Sequence, residues 1–119
     1  MIMSKIVIPF FGTAGSIFNI EASKTALVLT GYAHSSDIAA IDVTPNGMNT
    51  SSTPHDTGDG ISWFSISQGS TASGDFSLEV AAAEDNDGST VRSAEVIISD
   101  DAGNADDLVI TVYQEVKPI

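Results

Sequence analysis

Two histidines lie beside aspartates in a serine-rich chain, His34 before Asp37 and His55 directly before Asp56. A Ser–His–Asp nucleophile needs the three groups in hydrogen-bond contact and an oxyanion hole to receive developing charge. No Gly-x-Ser-x-Gly turn is present to hold such a serine, so both histidines read as solvent-facing loop residues. Nor do two isolated histidines make a zinc motif. The run Asp85-Asn86-Asp87-Gly88 follows Glu84, and Asp100-Asp101 opens a loop that closes on Asp106-Asp107. These are oxygen-rich stretches of the kind Ca²⁺ takes, but neither has the remaining ligands or the closing Glu of a twelve-residue calcium loop. Asp85, Asp87, Asp100 and Asp101 are therefore metal candidates only if the two loops converge at one end of the molecule. Otherwise they are acidic turns, and no cofactor is expected. Paired carboxylates also serve glycoside hydrolysis, but that chemistry needs a cleft with two fixed acids rather than exposed turns.

Two aromatics are candidates for binding. Trp63, the one tryptophan, is expected to anchor a core; the rival reading is a platform on which a sugar ring stacks. Tyr113 lies in the segment Leu108–Gln114, where Leu108, Ile110 and Val112 alternate with Val109, Thr111 and Tyr113. A period of two puts alternate residues on opposite faces of a strand. Tyr113 should then point outward and is the better exposed candidate.

Composition narrows the function classes. The chain has 119 residues, 16 acidic side chains against four basic ones, and a net charge of −12. Nucleic-acid binding uses clustered Lys and Arg to displace counterions, and Lys5, Lys24, Arg92 and Lys117 are scattered. An anionic membrane repels such a surface, and no segment approaches the roughly 20 apolar residues of a membrane span. We expect neither a nucleic-acid nor a membrane partner. The sole Arg, Arg92, is expected to pair with an Asp or Glu. Cysteine is absent, so neither disulfides nor thiolate sites contribute. The length suits one domain, residues 1–119, with its own core.

The elements that must carry these residues are short strands. Candidates are Lys5–Phe10, Ile17–Ala22, Ala26–Thr30, Ile38–Val43, Ile61–Ile66, Phe76–Ala82, Arg92–Ser99 and Leu108–Gln114. Ser35–Ala40 could form a helical turn, and no longer helical pattern occurs. Lys5–Phe10, a short apolar run interrupted by Pro9 and with no basic leader before it, reads as a first strand rather than a signal peptide, and it could lie along a neighbour's sheet edge. The polar connections are Gln68–Asp75, Ala83–Thr90 and Asp100–Asp107, the last a hairpin in which Gly103 or Asn104 supplies positive φ. Thr44–Gly60 is expected as one long loop, and a loop of that length is usually functional or mobile. About seven to eight antiparallel strands with frequent turns predict an all-β, immunoglobulin-like β-sandwich.

Trp63, the hydroxyl strand with Ser65 and Ser67, the Gly69–Gly74 loop, alternating Phe76–Ala82, Arg92 at a strand start and Gln114 at the last strand's close occur in that order. In order and spacing they resemble the BACON family (Bacteroidetes-associated carbohydrate-binding, often N-terminal), over Ile61–Glu115. The resemblance implies an immunoglobulin-like sandwich without catalysis, and adhesion or carbohydrate contact. Phages of the same gut bacteria carry such sandwiches on their virions. A short, acidic domain without a recognisable leader fits that surface better than a piece of a glycan-degrading enzyme. The expectation is an auxiliary, decorating capsid protein of a bacteriophage of gut Bacteroidetes, partnered by the major capsid protein or other virion proteins. The alternative is a carbohydrate-binding or adhesion module at a bacterial surface or secreted, contacting host-surface or mucin glycans. Thr44–Gly60, Ala83–Thr90 and Asp100–Asp107 are the expected contact loops.

Overall fold

Alternation of apolar and polar side chains lets each strand bury one face, so two sheets packed face to face satisfy the whole pattern. The computed structural model describes residues 18–67 and 70–119. In chain order the strands are β1 (Asn19–Ala22), β2 (Ala26–Leu29), β3 (Ser36–Thr44), β4 (Asn49–His55), β5 (Phe64–Ile66), β6 (Thr71–Ser73), β7 (Phe76–Ala82), β8 (Arg92–Asp100) and β9 (Leu108–Gln114). No helix occurs among the described residues. The smaller sheet has the order β1-β3-β7-β5 and the larger β2-β9-β8-β4-β6. The expected strand Lys5–Phe10 lies outside the described residues.

The all-β sandwich is as the pattern predicts, with three differences in detail. The first is a parallel pairing: Ala26–Leu29 runs alongside Thr111–Gln114, whereas all strands were expected to be antiparallel. Residues 23–25 carry the chain from the smaller sheet to the larger one. The strand entering there meets β9 from the same direction. The amide of Val28 is donated to the carboxylate of Asp37 at 3.0 Å, so this edge strand is capped by a side chain.

Secondly, Thr44–Gly60 is not one loop. Asn49–His55 forms an interior strand, paired with β8 along its length and with β6 only over Asn49–Ser51. Its inward residues are Thr50 and Ser52, both buried, so the strand carries hydroxyls where an apolar signal would normally announce it. Pro54 falls beyond the reach of β6, where β4 is an edge and its missing N–H costs no ladder bond. Likewise Thr71–Ser73 is a short strand inside the expected loop Gln68–Asp75. Thirdly, Ser35–Ala40 is extended rather than helical, since Ser36–Ile41 pair with Phe76–Ala81. Tertiary pairing overrides a weak local preference here.

The core lies between the sheets. Leu27, Leu29, Ile41, Leu78, Val80, Val96, Ile98, Ile110 and Val112 are all fully buried. The upper end of the sandwich holds the β3–β4 and β6–β7 turns and the β8–β9 loop. The lower end holds the β2–β3, β4–β5 and β7–β8 connections and the C-terminal segment. Gly103, with φ of 76°, makes the β8–β9 turn as expected.

Candidate binding surface

At the lower end three residues of the sequence motif, Trp63, Arg92 and Gln114, come together. Arg92 and Gln114 are register partners on β8 and β9, and both lie on the inward-facing set of their strands. Arg92 Nε donates to Gln114 Oε1 at 3.1 Å, Nη1 to Glu84 at 2.9 Å and Nη2 to the Asp85 carbonyl at 2.8 Å. Gln114 Nε2 donates to the Glu84 carbonyl at 2.8 Å. Asn86 Nδ2 donates to the carbonyls of Thr90 and Gln114. The guanidinium also sits 5.6 Å from the centroid of the Trp63 ring, within cation–π range. Trp63 is 1 % exposed and donates its indole N–H to the Gly60 carbonyl at 2.8 Å.

This cluster decides what the motif is for. Trp63 presents no ring face to solvent, so it is a core anchor and is corrected as a sugar platform. Arg92 pairs with an acid, as expected, and also ties the β7–β8 loop to the end of β9. Every member of the motif cluster is spent on holding the lower end closed.

The acidic loops do not converge. Ala83–Thr90 precedes β8 and Asp100–Asp107 follows it, so they lie about 25 Å apart along that strand. Asp85 accepts the Ala33 amide at 2.8 Å and shares the Lys117 ammonium with Asp87, at 3.1 and 3.4 Å. The Ala33 amide and the Lys117 charge hold the Asp85 carboxyl below the usual carboxylate range, and Asp85 and Asp87 in turn push the Lys117 ammonium up. Asp100 is spent on the amides of Ala102, Asn104 and Ala105, and Asp101 accepts the Ser51 hydroxyl. A protein cation engages Asp85 and Asp87 at one end, and backbone amides and the Ser51 hydroxyl engage Asp100 and Asp101 at the other. No group of three or more metal-ligating side chains occurs among the described residues.

The aspartates beside the two histidines bond other groups. Asp37 binds Lys24 at 2.7 Å, and Asp56 accepts the amides of Gly58 and Gly60. His55 faces Glu95 at 3.6 Å across the β4–β8 pair.

Tyr113 is 38 % exposed, on the outer face of the larger sheet. The register builds the surroundings row by row. Tyr113 lies between Ser93 and Val28; Thr111 between Glu95 and Ala26; Val109 beside Ile97, which is beside Thr53. Val28 and Val109 are exposed. Within the strands of the larger sheet Glu95 is the one acid on the outward parity, and it faces His55; at the lower margin of the face Asp37 and Asp59 accept the amides of Val28 and Ser93, and Glu115 follows Tyr113 by two residues. The outer face of the smaller sheet carries Glu21, Asp42 and Glu79. Asp37 stands near the start of β3 and Asp100 at the end of β8, and the remaining acids lie on the connections and the C-terminal segment. An acidic molecule thus has one broad face of hydroxyl and apolar side chains. Alternation in β9 made Tyr113 legible in the sequence, but Val28, Ile97 and Thr53 on the same face come from three other strands, and no local pattern joins them.

An immunoglobulin-like sandwich in which Trp63, Arg92 and Gln114 close one end, and whose outer sheet faces are open, has the form of a binding scaffold. The chain belongs to the BACON family: the family model, described as "Putative binding domain, N-terminal", matches residues 41–115. It is thereby a carbohydrate-binding or interaction module. A search of curated proteins gives no match. Among solved structures, a Bacteroides ovatus GH5 xyloglucanase in complex with a XXXG heptasaccharide is similar at TM-score 0.65 and 20 % identity. That likeness covers 84 % of this chain and 19 % of the enzyme, so the chain spans about a fifth of that protein's length. The seventh PapD-like (ASH) domain of human CEP192 is similar at TM-score 0.53 and 10 % identity, covering 100 % of this chain and 99 % of that domain. At these identities the likeness is one of fold.

Proposed function

We propose that this domain is a non-catalytic contact module that seats the outer face of its larger sheet on a protein partner at an extracellular surface. In the specific form suggested by the sequence, it decorates the capsid of a phage of gut Bacteroidetes. The observation that carries the reading is the make-up of the Tyr113 face: in a chain of net charge −12 its strand positions present Val28, Val109, Ile97, Thr111 and Thr53 with Tyr113, Glu95 is their one acid, and Asp37, Asp59 and Glu115 lie along its lower margin. Interface cores are depleted of charge and enriched in Tyr, and a face built this way can be desolvated at little cost. The acids elsewhere suppress docking in other orientations. Membership in a family of binding domains supports the same reading, and the likeness to a Bacteroides enzyme supports a cell-surface or secreted setting as the alternative.

The test has two parts. Mass spectrometry of purified virions, compared with cell-surface and secreted fractions, locates the protein. Co-sedimentation of the purified domain with whichever surface retains it then compares wild type with Tyr113→Asp. Recovery in a fixed ratio to the major capsid protein, with binding reduced about tenfold or more by the substitution, is the expected result. Recovery on cells or glycans only would overturn the virion setting. Unchanged binding by Tyr113→Asp would overturn the sheet face as the contact.

A further inference from the structure

An asparagine side chain can be attacked by the backbone nitrogen of the next residue, and the five asparagines of this chain differ in whether the fold permits it. Asn19 and Asn49 lie in strands and precede the β-branched Ile20 and Thr50, where side-chain bulk and pairing oppose the attack. Asn86 is buried, and its carboxamide donates to Thr90 and Gln114 and accepts the Gly88 amide at 3.2 Å. Beside Asn104 the attacking nitrogen would be that of Ala105, which donates to Asp100 at 3.1 Å. Asn46 differs on every count. It is the one asparagine followed by glycine, and Asn46 and Gly47 are both exposed in the β3–β4 turn at the upper end. Neither the Asn46 carboxamide nor the Gly47 amide has a hydrogen-bond partner among the described residues. A Cβ built on Gly47 would meet nothing within 4 Å, so the approach over this residue is open.

We propose that Asn46–Gly47 is a self-modification site, at which residue 46 converts to isoaspartate without an enzyme. The inference is independent of the sheet-face docking. The Gly47 nitrogen loses its proton to solvent base and attacks Asn46 Cγ. A bond forms between Gly47 N and Cγ, the Cγ–Nδ2 bond breaks, and Nδ2 takes up a proton and leaves as ammonia. The product is a cyclic succinimide. Glycine favours this closure because it lacks the Cβ that restricts the backbone and crowds the attacking nitrogen. Water then adds to one of the two ring carbonyl carbons, and the ring nitrogen regains a proton as its bond to that carbon breaks. Opening at Cγ gives aspartate. Opening at the backbone carbonyl carbon gives isoaspartate, in which the main chain runs through Cβ and the α-carboxylate is free. In sum, carboxamide and water become carboxylate and ammonium.

The conversion falls where two turns touch. The Met48 amide donates to the Pro45 carbonyl at 3.2 Å, closing the β3–β4 turn, and the Met48 carbonyl accepts the Gly74 amide of the β6–β7 turn at 2.9 Å. A Cβ on Gly74 would lie 3.8 Å from Gly47 Cα and 3.9 Å from Asn46 Oδ1. Isoaspartate inserts the Cβ atom into the main chain at this contact. It also adds a carboxylate near Asp75, which follows Gly74 and accepts the Val43 amide at 2.9 Å, and like charges repel. The modified chain therefore loosens the seat of one turn on the other. The change runs one way and accumulates with time after folding.

The test is incubation of the folded full chain in heavy-oxygen water at mildly alkaline pH, beside a sample unfolded in urea. Peptide mass spectrometry locates the label, and electron-transfer fragmentation separates isoaspartate from aspartate. In the folded sample label should enter at Asn46 about tenfold or more faster than at any other asparagine, with isoaspartate the larger product. Unfolding should speed Asn86 and Asn104 by about tenfold or more and Asn46 by less. The Gly74 amide should exchange faster with solvent in the converted fraction. Asn46→Gln, at an exposed position, should abolish the uptake at residue 46 with the fold retained, because its longer side chain closes the ring poorly. Faster labelling at Asn86 or Asn104 than at Asn46 in the folded chain would overturn the proposal. So would a folded rate at Asn46 about a hundredfold below that in urea, or Gly74 exchange that conversion leaves unchanged.

Discussion

Replacing Gln114 by Leu should destabilise the domain by about 2–4 kcal/mol, far more than its conservative volume suggests. Gln114 is 0 % exposed, so water does not replace what its carboxamide supplies. The substitution removes the acceptor for Arg92 Nε at 3.1 Å and the donor to the Glu84 carbonyl at 2.8 Å. A hydrogen bond to a charged group is worth about 1.5–3 kcal/mol and a neutral one about 0.5–1.5 kcal/mol. The added apolar burial of Leu offsets part of that loss. The Arg92–Glu84 ion pair contributes little to the difference, since Glu84 is more than half exposed and exposed pairs are screened. Against a total stability of about 5–15 kcal/mol, the effect is large. Trp63, being the sole tryptophan and in contact with the same guanidinium, is the natural reporter. Urea unfolding followed by its fluorescence should show the midpoint lowered by about 1–2 M, given slopes of about 1–3 kcal/mol per M. Gln114→Glu separates the two bonds, because it keeps an acceptor for Arg92 but turns the donor to Glu84 into a repulsion. A loss below about 0.5 kcal/mol for Gln114→Leu, within the scatter of neutral surface changes, would refute the view that the motif holds the lower end together.

Three further outcomes follow from local geometry. Thr50→Val should stabilise by about 1 kcal/mol in the same assay, because Thr50 Oγ1 is buried without a hydrogen-bond partner and the substitution keeps its shape; a loss of stability would mean that the hydroxyl is satisfied. Gly31→Ala should cost about 1–3 kcal/mol, since a Cβ there would lie 2.3 Å from the backbone N and Cα of Lys117. The Lys117 amide, bonded to the Asn86 carbonyl at 3.0 Å, should then exchange faster with solvent. Acid should lower the thermal midpoint. Asp37 is held below the usual carboxylate range: burial pushes it up, but the Lys24 ammonium and the amides of Val28 and Ile38 together outweigh that. The amides of Gly58 and Gly60 lower Asp56, and the Ala33 amide and Lys117 lower Asp85. A carboxyl whose folded pKa is depressed adds stability that is present above its unfolded value, about 4, and lost as pH falls through the folded one. Lys117, raised by Asp85 and Asp87, has the opposite sign: its contribution is full below about pH 10 and lost as pH rises past its folded value. A midpoint that rises on acidification below about pH 4 would contradict the acid argument.

Strands whose inward positions are apolar were legible in the residues alone. Leu78, Val80 and Ala82 on β7, and Ile110 and Val112 on β9, are inward and buried, because a period of two commits a strand to one buried face whatever its partner. The same parity fixed Tyr113 as outward. β4 was illegible for the matching reason: with Thr50 and Ser52 inward, its burial is imposed by β8 beside it and by the opposite sheet, and nothing in Asn49–His55 announces it. The parallel seat of β2 against β9 is likewise a consequence of where residues 23–25 cross between sheets, which no local pattern encodes.

The candidate sites divide along the same line. The order of Trp63, Arg92 and Gln114 pointed to the family, because those side chains must meet to close one end of this fold. That they close on each other, leaving no ring face or charge for a ligand, was decided only by the register of β8 and β9 and the path of the β7–β8 loop. Composition alone set the net charge of −12, and with it the expectation that nucleic acid is not a partner. Where outward acids are sparse is a tertiary property, since the Tyr113 face takes its residues from β2, β4, β8 and β9. Parity along a strand is local physics that the sequence carries by itself. Which strands stand side by side depends on long-range pairing, and a surface assembled from several of them exists only once that pairing is made.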